Sequence, residues 1–385
     1  MPEEQHPEYK LTDGDMKFDS YSCMGPEFGG DERNVPWKEL ERVETERREI
    51  LKRVELPFWR ILCYWSGTCL KALAMDWLIW VPITIFVALR IHARVSDTAP
   101  ALAERLGDTD VDVLGGFLSF LLVLFVNQTN SRFFTMYQLA KRVAGQIQDA
   151  AGLVVTQLPS GAANRLVRYM NAAHVAGYVG LGGPYSKKHF FDHYNKEHKL
   201  LNSYEMKRVD ILDMDSGSGV FKELCTWCQQ DVGRAKKAGH VDSIEAAELH
   251  NRILNIRAAM DGLYDYTDQP THFFYIHFLC LLSALYLPLF AVDNAFACGW
   301  GDDSDWSIEL VNGLMVLVQA IFVVGLRLLG QKMVDPFGLD LEDLSVITYV
   351  STTIENCRII LNSQQEQEVD EAAETPGLNK IEQTV

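Results

Sequence analysis

Cysteine is sparse in this chain: eight residues in 385, without the dense spacing of a disulfide-stapled scaffold. Cys225 and Cys228 form a lone CxxC with no second pair and no histidine at ligand spacing, so neither zinc nor redox chemistry is expected there. Basic charge is also short. Thirty-five Lys and Arg stand against 52 Asp and Glu, a formal net charge of -17, which argues against a nucleic-acid partner. The acid excess gathers at the ends: residues 1–36 hold nine acidic and three basic side chains, residues 363–385 six and one. The opening MPEEQHPEYK lacks the basic flank and apolar core of a secretory signal and the arginines of a transit peptide. Mean hydropathy is -0.04, too polar for ten or twelve spans and too apolar for a mostly disordered chain.

That average hides four stretches without any charge. Thirteen residues lie between Asp76 and Arg90, 19 between Asp112 and Arg132, 24 between Asp268 and Asp293, and 17 between Glu309 and Arg327. A helix needs about 20 residues to cross a hydrocarbon core of roughly 30 Å. The first stretch reaches that length only if Leu70–Met75 joins it, with Asp76 at its edge. Runs such as FLSFLLVLFV and MVLVQAIFVVGL have no polar face, unlike a helix of a soluble protein. Four spans are therefore expected, at about 71–92, 112–130, 271–292 and 309–328.

Lys and Arg crowd one end of these spans, in RREILKR, at Arg132, Lys141 and Arg142, and at Arg327 and Lys332. The short 293–309 loop is acidic instead, with Asp293, Asp302, Asp303 and Asp305. The positive-inside rule puts both termini and the 127–270 segment in the cytoplasm. That segment carries helical periodicity in LVRYMNAAHVAGYVGL and IEAAELHNRILNIRAAM, broken at Pro159, at Gly182–Pro184 and at Ser216–Gly219. The expected organisation is all-α. Residues 1–54 form an acidic tail and the start of a cytoplasmic helix. Residues 55–362 form the membrane unit with cytoplasmic helices at 131–270 and 329–362, and 363–385 an acidic disordered tail.

No arrangement of nucleophile and base stands out, and an enzyme is not expected. His189, Asp192 and His193 make HxxDH, with His198 close behind, but no third metal ligand stands at a convincing spacing. Ser216–Gly219 (SGSG) lacks the length and lysine of a phosphate-binding loop. Asn127-Gln128-Thr129 matches a glycosylation triplet on the wrong side of the membrane. The second span is more informative. Gly116, Phe120 and Leu124 recur at i, i+4 and i+8 on one stripe, followed by the small polar residues Asn127, Thr129, Asn130 and Ser131. Taken alone, periodicity favours packing or lipid contact for Phe120 and Leu124. In a ring of copies the same stripe would make a narrow apolar throat with neutral donors below it.

LSFLLVLFVNQTNSRFFTMY resembles the second transmembrane helix of the bestrophins, which ends in an Arg followed by two bulky aromatics, here Arg132, Phe133 and Phe134. Asp335-Pro336-Phe337-Gly338 followed by LDLEDL resembles the family's NPFG-acidic element after the last span, with Asp in place of Asn. Weaker echoes are Trp65-Ser66-Gly67 and LNIRAAMDGLYDY. The resemblance covers roughly residues 55–362. It implies a homopentamer in the lipid bilayer with a central pore lined by the second helix and a large cytoplasmic helical vestibule. The family's three neck positions fall on Gly116, Phe120 and Leu124, and its cytoplasmic aperture on Ile244.

The implied function is passive conduction of small monovalent anions, chloride foremost and bicarbonate second, and the lack of a transit peptide favours the cell membrane over an organelle. Gating would be widening and rewetting of the throat. Arg90, His92 and Arg94 at the outer end of the first span would either concentrate anions or anchor in headgroups. Animal bestrophins bind calcium through an acidic cluster here represented by Asp340 and Asp343, with Glu342 between them, while Leu339 and Leu341 replace other acids. The continuation DLSVITYVSTTIENCRIIL is closer to the plant and bacterial branch, so no cofactor is required, and an acidic helix start is the favoured reading over calcium. Bacterial members include cation conductors. A cation channel, a non-conducting scaffold and a metalloenzyme using His189 and His193 remain the competing classes.

Overall fold

The computed structural model describes residues 35–53, 56–62, 65, 68–95, 111–269, 271–299 and 306–374. Most of the N-terminal tail, Ser66 and Gly67, the acidic Asp302, Asp303 and Asp305, and residues 375–385 lie outside that set. Among the described residues the regular structure is entirely helical. In chain order the helices are α1 (Trp37–Arg53), α2 (Phe58–Leu62), α3 (Cys69–Met75), α4 (Trp77–Val95), α5 (Val111–Gln157), α6 (Ser160–Leu181), α7 (Asp192–His198), α8 (Ser203–Leu212), α9 (Gly219–Lys237), α10 (Ser243–Asp268), α11 (Phe273–Ala297), α12 (Trp306–Lys332) and α13 (Val346–Glu374).

Four of them, α4, α5, α11 and α12, are long and apolar enough to cross a membrane. The first begins later than the sequence suggests. Asp76 breaks it from α3, because its carboxylate accepts the Leu78 N–H at 2.9 Å and starts a new helix. The lost turn is recovered at the other end, where α4 continues past Arg90 to Val95. The second span does not stop at the membrane. It runs 47 residues to Gln157, about 70 Å at 1.5 Å per residue. Pro159 then resets the chain as the N-cap of α6. Residues 363–374, expected in the disordered tail, instead continue α13.

Each half of the molecule has its own core. In the membrane half α4 packs on α11 and α12, as does the upper part of α5, around Leu118, Leu122, Phe125, Leu287, Ala320 and Val324. Gly330 is required there, since a Cβ would sit inside the van der Waals envelope of the Phe125 ring. Gly330→Ala is expected to lower stability by about 1–3 kcal/mol in detergent melting curves. In the half beyond the apolar spans the lower part of α5 packs against α10, α13 and α6, and α9 lies on α6. Asn202 and Asp242 start α8 and α10 with capping boxes completed by Glu205 and Glu245.

This second core also buries His174 fully, both ring nitrogens lacking a hydrogen-bond partner. Burial pulls its pKa from 6.5 down to about 3. Between those values the unfolded chain takes a proton that the folded chain refuses. Stability therefore falls as pH drops from about 6.5 towards 3, by about 1.4 kcal/mol per unit from this group. Chemical denaturation at pH 4 and pH 7 is expected to show a larger loss for the wild type than for His174→Leu.

Candidate functional site

At 3.6 residues per turn, α5 divides into two faces. Leu118, Leu122, Phe125, Thr129, Met136 and Ala140 point into the cores. The opposite stripe, Gly116, Phe120, Leu124, Asn127, Ser131 and Phe134, is exposed, outside the cores of the subunit. Phe120 is 62% and Leu124 43% exposed. The glycine pair of the second span splits by role. A Cβ on Gly115 would collide with the Tyr286 ring, whereas one on Gly116 would enter open space. The three apolar stripe residues thus share one unpartnered face, and two polar residues continue it downward.

The four polar residues do not act alike. Asn127 and Ser131 are exposed on the stripe, and Asn130 sits half-buried on its flank. Thr129 corrects the expectation of a fourth lining donor. It is fully buried, and its hydroxyl donates to the backbone carbonyls of Phe125 at 3.0 Å and Val126 at 3.1 Å. Two residues along a helix turn the side chain by about 200°, away from the face that Asn127 holds. Arg132 also leaves the stripe. It donates to the carbonyls of Gln269, at 2.7 Å, and Tyr266, with its guanidinium 5.3 Å from the Tyr266 ring centroid. These are orphan carbonyls at the end of α10, so Arg132 clips the second span to the helical bundle beyond it.

Ile244 lies in the first turn of α10, where its N–H is held by the Asp242 carboxylate at 2.7 Å and its side chain is 78% exposed. At the other end of the molecule Arg90 is not a free surface cation. It is 5% exposed and donates to Glu309, to the Ala295 carbonyl at 2.9 Å and to the Gly299 carbonyl at 2.6 Å. Arg94 pairs with the same Glu309. These arginines knot the ends of α4, α11 and α12 together, which corrects the anion-concentrating alternative for Arg90. At the inner end Arg327 pairs with Asp76.

The turn after the fourth span brings a further charged group together. Asp343 is 8% exposed, and one of its oxygens accepts the Asp340 N–H at 2.7 Å while the other has no hydrogen-bond partner. Burial, with Asp340 nearby, pushes the Asp343 carboxyl up to about 8. Asp340 turns outward, 3.9 Å from Lys332, and Glu342 takes the same ammonium at 2.9 Å. The Arg47 guanidinium of α1 fills the inside of the turn, donating to the carbonyls of Gly338 and Asp340 at 2.8–2.9 Å and of Leu344 at 3.3 Å.

Residues 48–363 match the family model described as bestrophin, RFP-TM, chloride channel. The chain belongs to the bestrophin family. A solved structure of a point variant of the bacterial bestrophin homologue from Klebsiella pneumoniae is 16% identical with a TM-score of 0.61, covering 74% of this chain and 98% of its own. Another structure of the Klebsiella pneumoniae homologue is 17% identical with a TM-score of 0.59, covering 73% and 97%. At these identities the likeness is one of fold. No curated protein matches the sequence.

In this bestrophin the calcium ligand set read from Asp340 and Asp343 does not fit. Calcium takes six to eight oxygens converging on one point. Here the two carboxylates diverge, one towards Lys332 and one towards the inside of the turn, and a guanidinium already holds the carbonyls. No group of three or more His, Cys, Asp or Glu able to hold a metal occurs among the described residues. His193 stacks on Trp37 with ring centroids 3.7 Å apart, which gives the HxxDH stretch a packing role. Cys225 and Cys228 are buried, and burial pushes the Cys225 thiol up to about 12, so neither is a reactive thiolate.

Arg47 was illegible as a site residue because RREILKR reads as the basic flank of a span. One signal was available. Leu40, Val43, Glu44 and Arg47 share one stripe of α1, and all four are buried. Charges on the apolar stripe of an amphipathic helix call for buried partners.

Proposed function

We propose that five copies of this bestrophin surround a central pathway with their α5 stripes, and that it passes small monovalent anions, chloride foremost and bicarbonate second. The observation carrying this reading is the unpartnered stripe itself: Gly116, Phe120 and Leu124, then Asn127 and Ser131, without a charged side chain among them. Stripping water from an ion costs many kcal/mol in hydrocarbon, so the apolar part must be short and dry when closed. The edges of the Phe120 rings present partial positive charge to an anion. Below them the Asn127 amide and Ser131 hydroxyl offer neutral donors that replace part of its hydration. Ile244 would ring a second, cytoplasmic constriction. The pathway sits in a cell membrane with both termini cytoplasmic.

Single cysteines test the face assignment. Asn127→Cys and Ser131→Cys channels are expected to lose current on exposure to a membrane-impermeant thiosulfonate, while Thr129→Cys and the wild type keep theirs. Block at Thr129→Cys with none at the other two would move the pathway to the other side of α5.

A further inference from the structure

Arg47 is 5% exposed on α1, roughly 290 residues from the backbone carbonyls it touches. Its guanidinium faces three backbone carbonyls, those of Gly338, Asp340 and Leu344. Two carboxylates flank it, Asp343 at 3.7 Å and Glu44 at 3.8 Å. Glu44 is held in place by the hydroxyls of Ser345 and Thr348, and its Oε1 side also meets the exposed Arg48 at 3.5 Å, leaving its second oxygen to Arg47. One oxygen of Glu44 and one of Asp343 remain buried without a hydrogen-bond partner. Five oxygen groups thus converge on one cation, and two of them retain unused acceptor capacity. Carbonyls and carboxylates together are the donors a hard divalent ion takes. They surround a guanidinium instead, whose planar fork of five donors matches several carbonyls at once.

We infer that Arg47 is the resident cation of an oxygen-lined cage after the fourth span, so that the turn closes on α1 without a divalent ion, and that removing this side chain opens the cage to calcium. The inference concerns ion binding and folding, and stands or falls separately from conduction. The cation arrives on the chain itself, so no ion has to be captured to order Gly338–Leu344. Glu44 and Asp343 are both buried beside Arg47, and a buried acidic group left without its cation is costly.

Thermal unfolding of purified full-length protein, in chelator and across a calcium series, tests this. The wild-type midpoint is expected to be unchanged by calcium, and elemental analysis to find no stoichiometric calcium. Arg47→Ala is expected to melt at lower temperature in chelator and to recover a saturable part of that loss with calcium but not with potassium. Arg47→Lys keeps a cation without the fork, and is expected to fold, to melt below the wild type and to ignore calcium. Stoichiometric calcium in the wild type, or an Arg47→Ala protein whose midpoint ignores calcium, overturns the inference. Should Arg47→Ala fail to fold in chelator, expression in calcium decides: rescue supports the cage and absence of rescue overturns it.

Discussion

Phe120→Ala raises the resting anion current, on the order of tenfold, and flattens its voltage dependence in single-channel or liposome-flux recordings. The side chain projects from a helix face left open within the subunit, and in the proposed ring five copies would form a narrow apolar collar. Truncation widens the collar and admits water, and a tenfold rise corresponds to about 1.4 kcal/mol off the barrier to passage. Gly116 one turn above has no side chain to compensate, and Leu124 one turn below is shorter than a phenylalanine. In the proposed pathway the loss therefore falls on the narrowest ring. Unchanged currents would place Phe120 away from the pathway.

Glu309→Ala costs about 3–5 kcal/mol of stability, because it strands the Arg90 guanidinium, whose side chain is 6% exposed, at the outer end of the spans. The Ala295 and Gly299 carbonyls remain as acceptors, but neither carries charge. Melting of detergent-solubilised protein measures the loss. The paired replacement of Arg90→Met with Glu309→Leu is expected to recover a large part, since it removes the stranded charge with its partner. If the pair were as unstable as the single variant, packing rather than charge would dominate that corner.

The four spans and the stripe of α5 were legible because hydrophobic length and the i, i+4 period are local properties. The length of α5 was not. Hydropathy ends at Arg132, but no proline interrupts the helix before Pro159. Thr129 shows the limit of reading a polar cluster as a unit. Residues 127–131 span more than one helical turn, so they cannot all face one way. Arg90 and Arg47 were misread for a different reason. Each has its hydrogen-bond acceptors on other elements, and charge at the end of a span has the same appearance whether it meets water or a buried carboxylate. The Asp335–Gly338 turn was recognisable from its motif, but its closure by α1 depends on contacts across the whole chain.

The central claim is an anion pathway along the α5 stripe, and the reversal potential tests it most directly. Purified protein in a planar bilayer under a chloride gradient, with the cation exchanged for a large organic one, is expected to reverse near the chloride equilibrium potential, and to keep doing so after the exchange. A reversal that follows the cation, or a bilayer that stays silent with well-folded protein present, would contradict it.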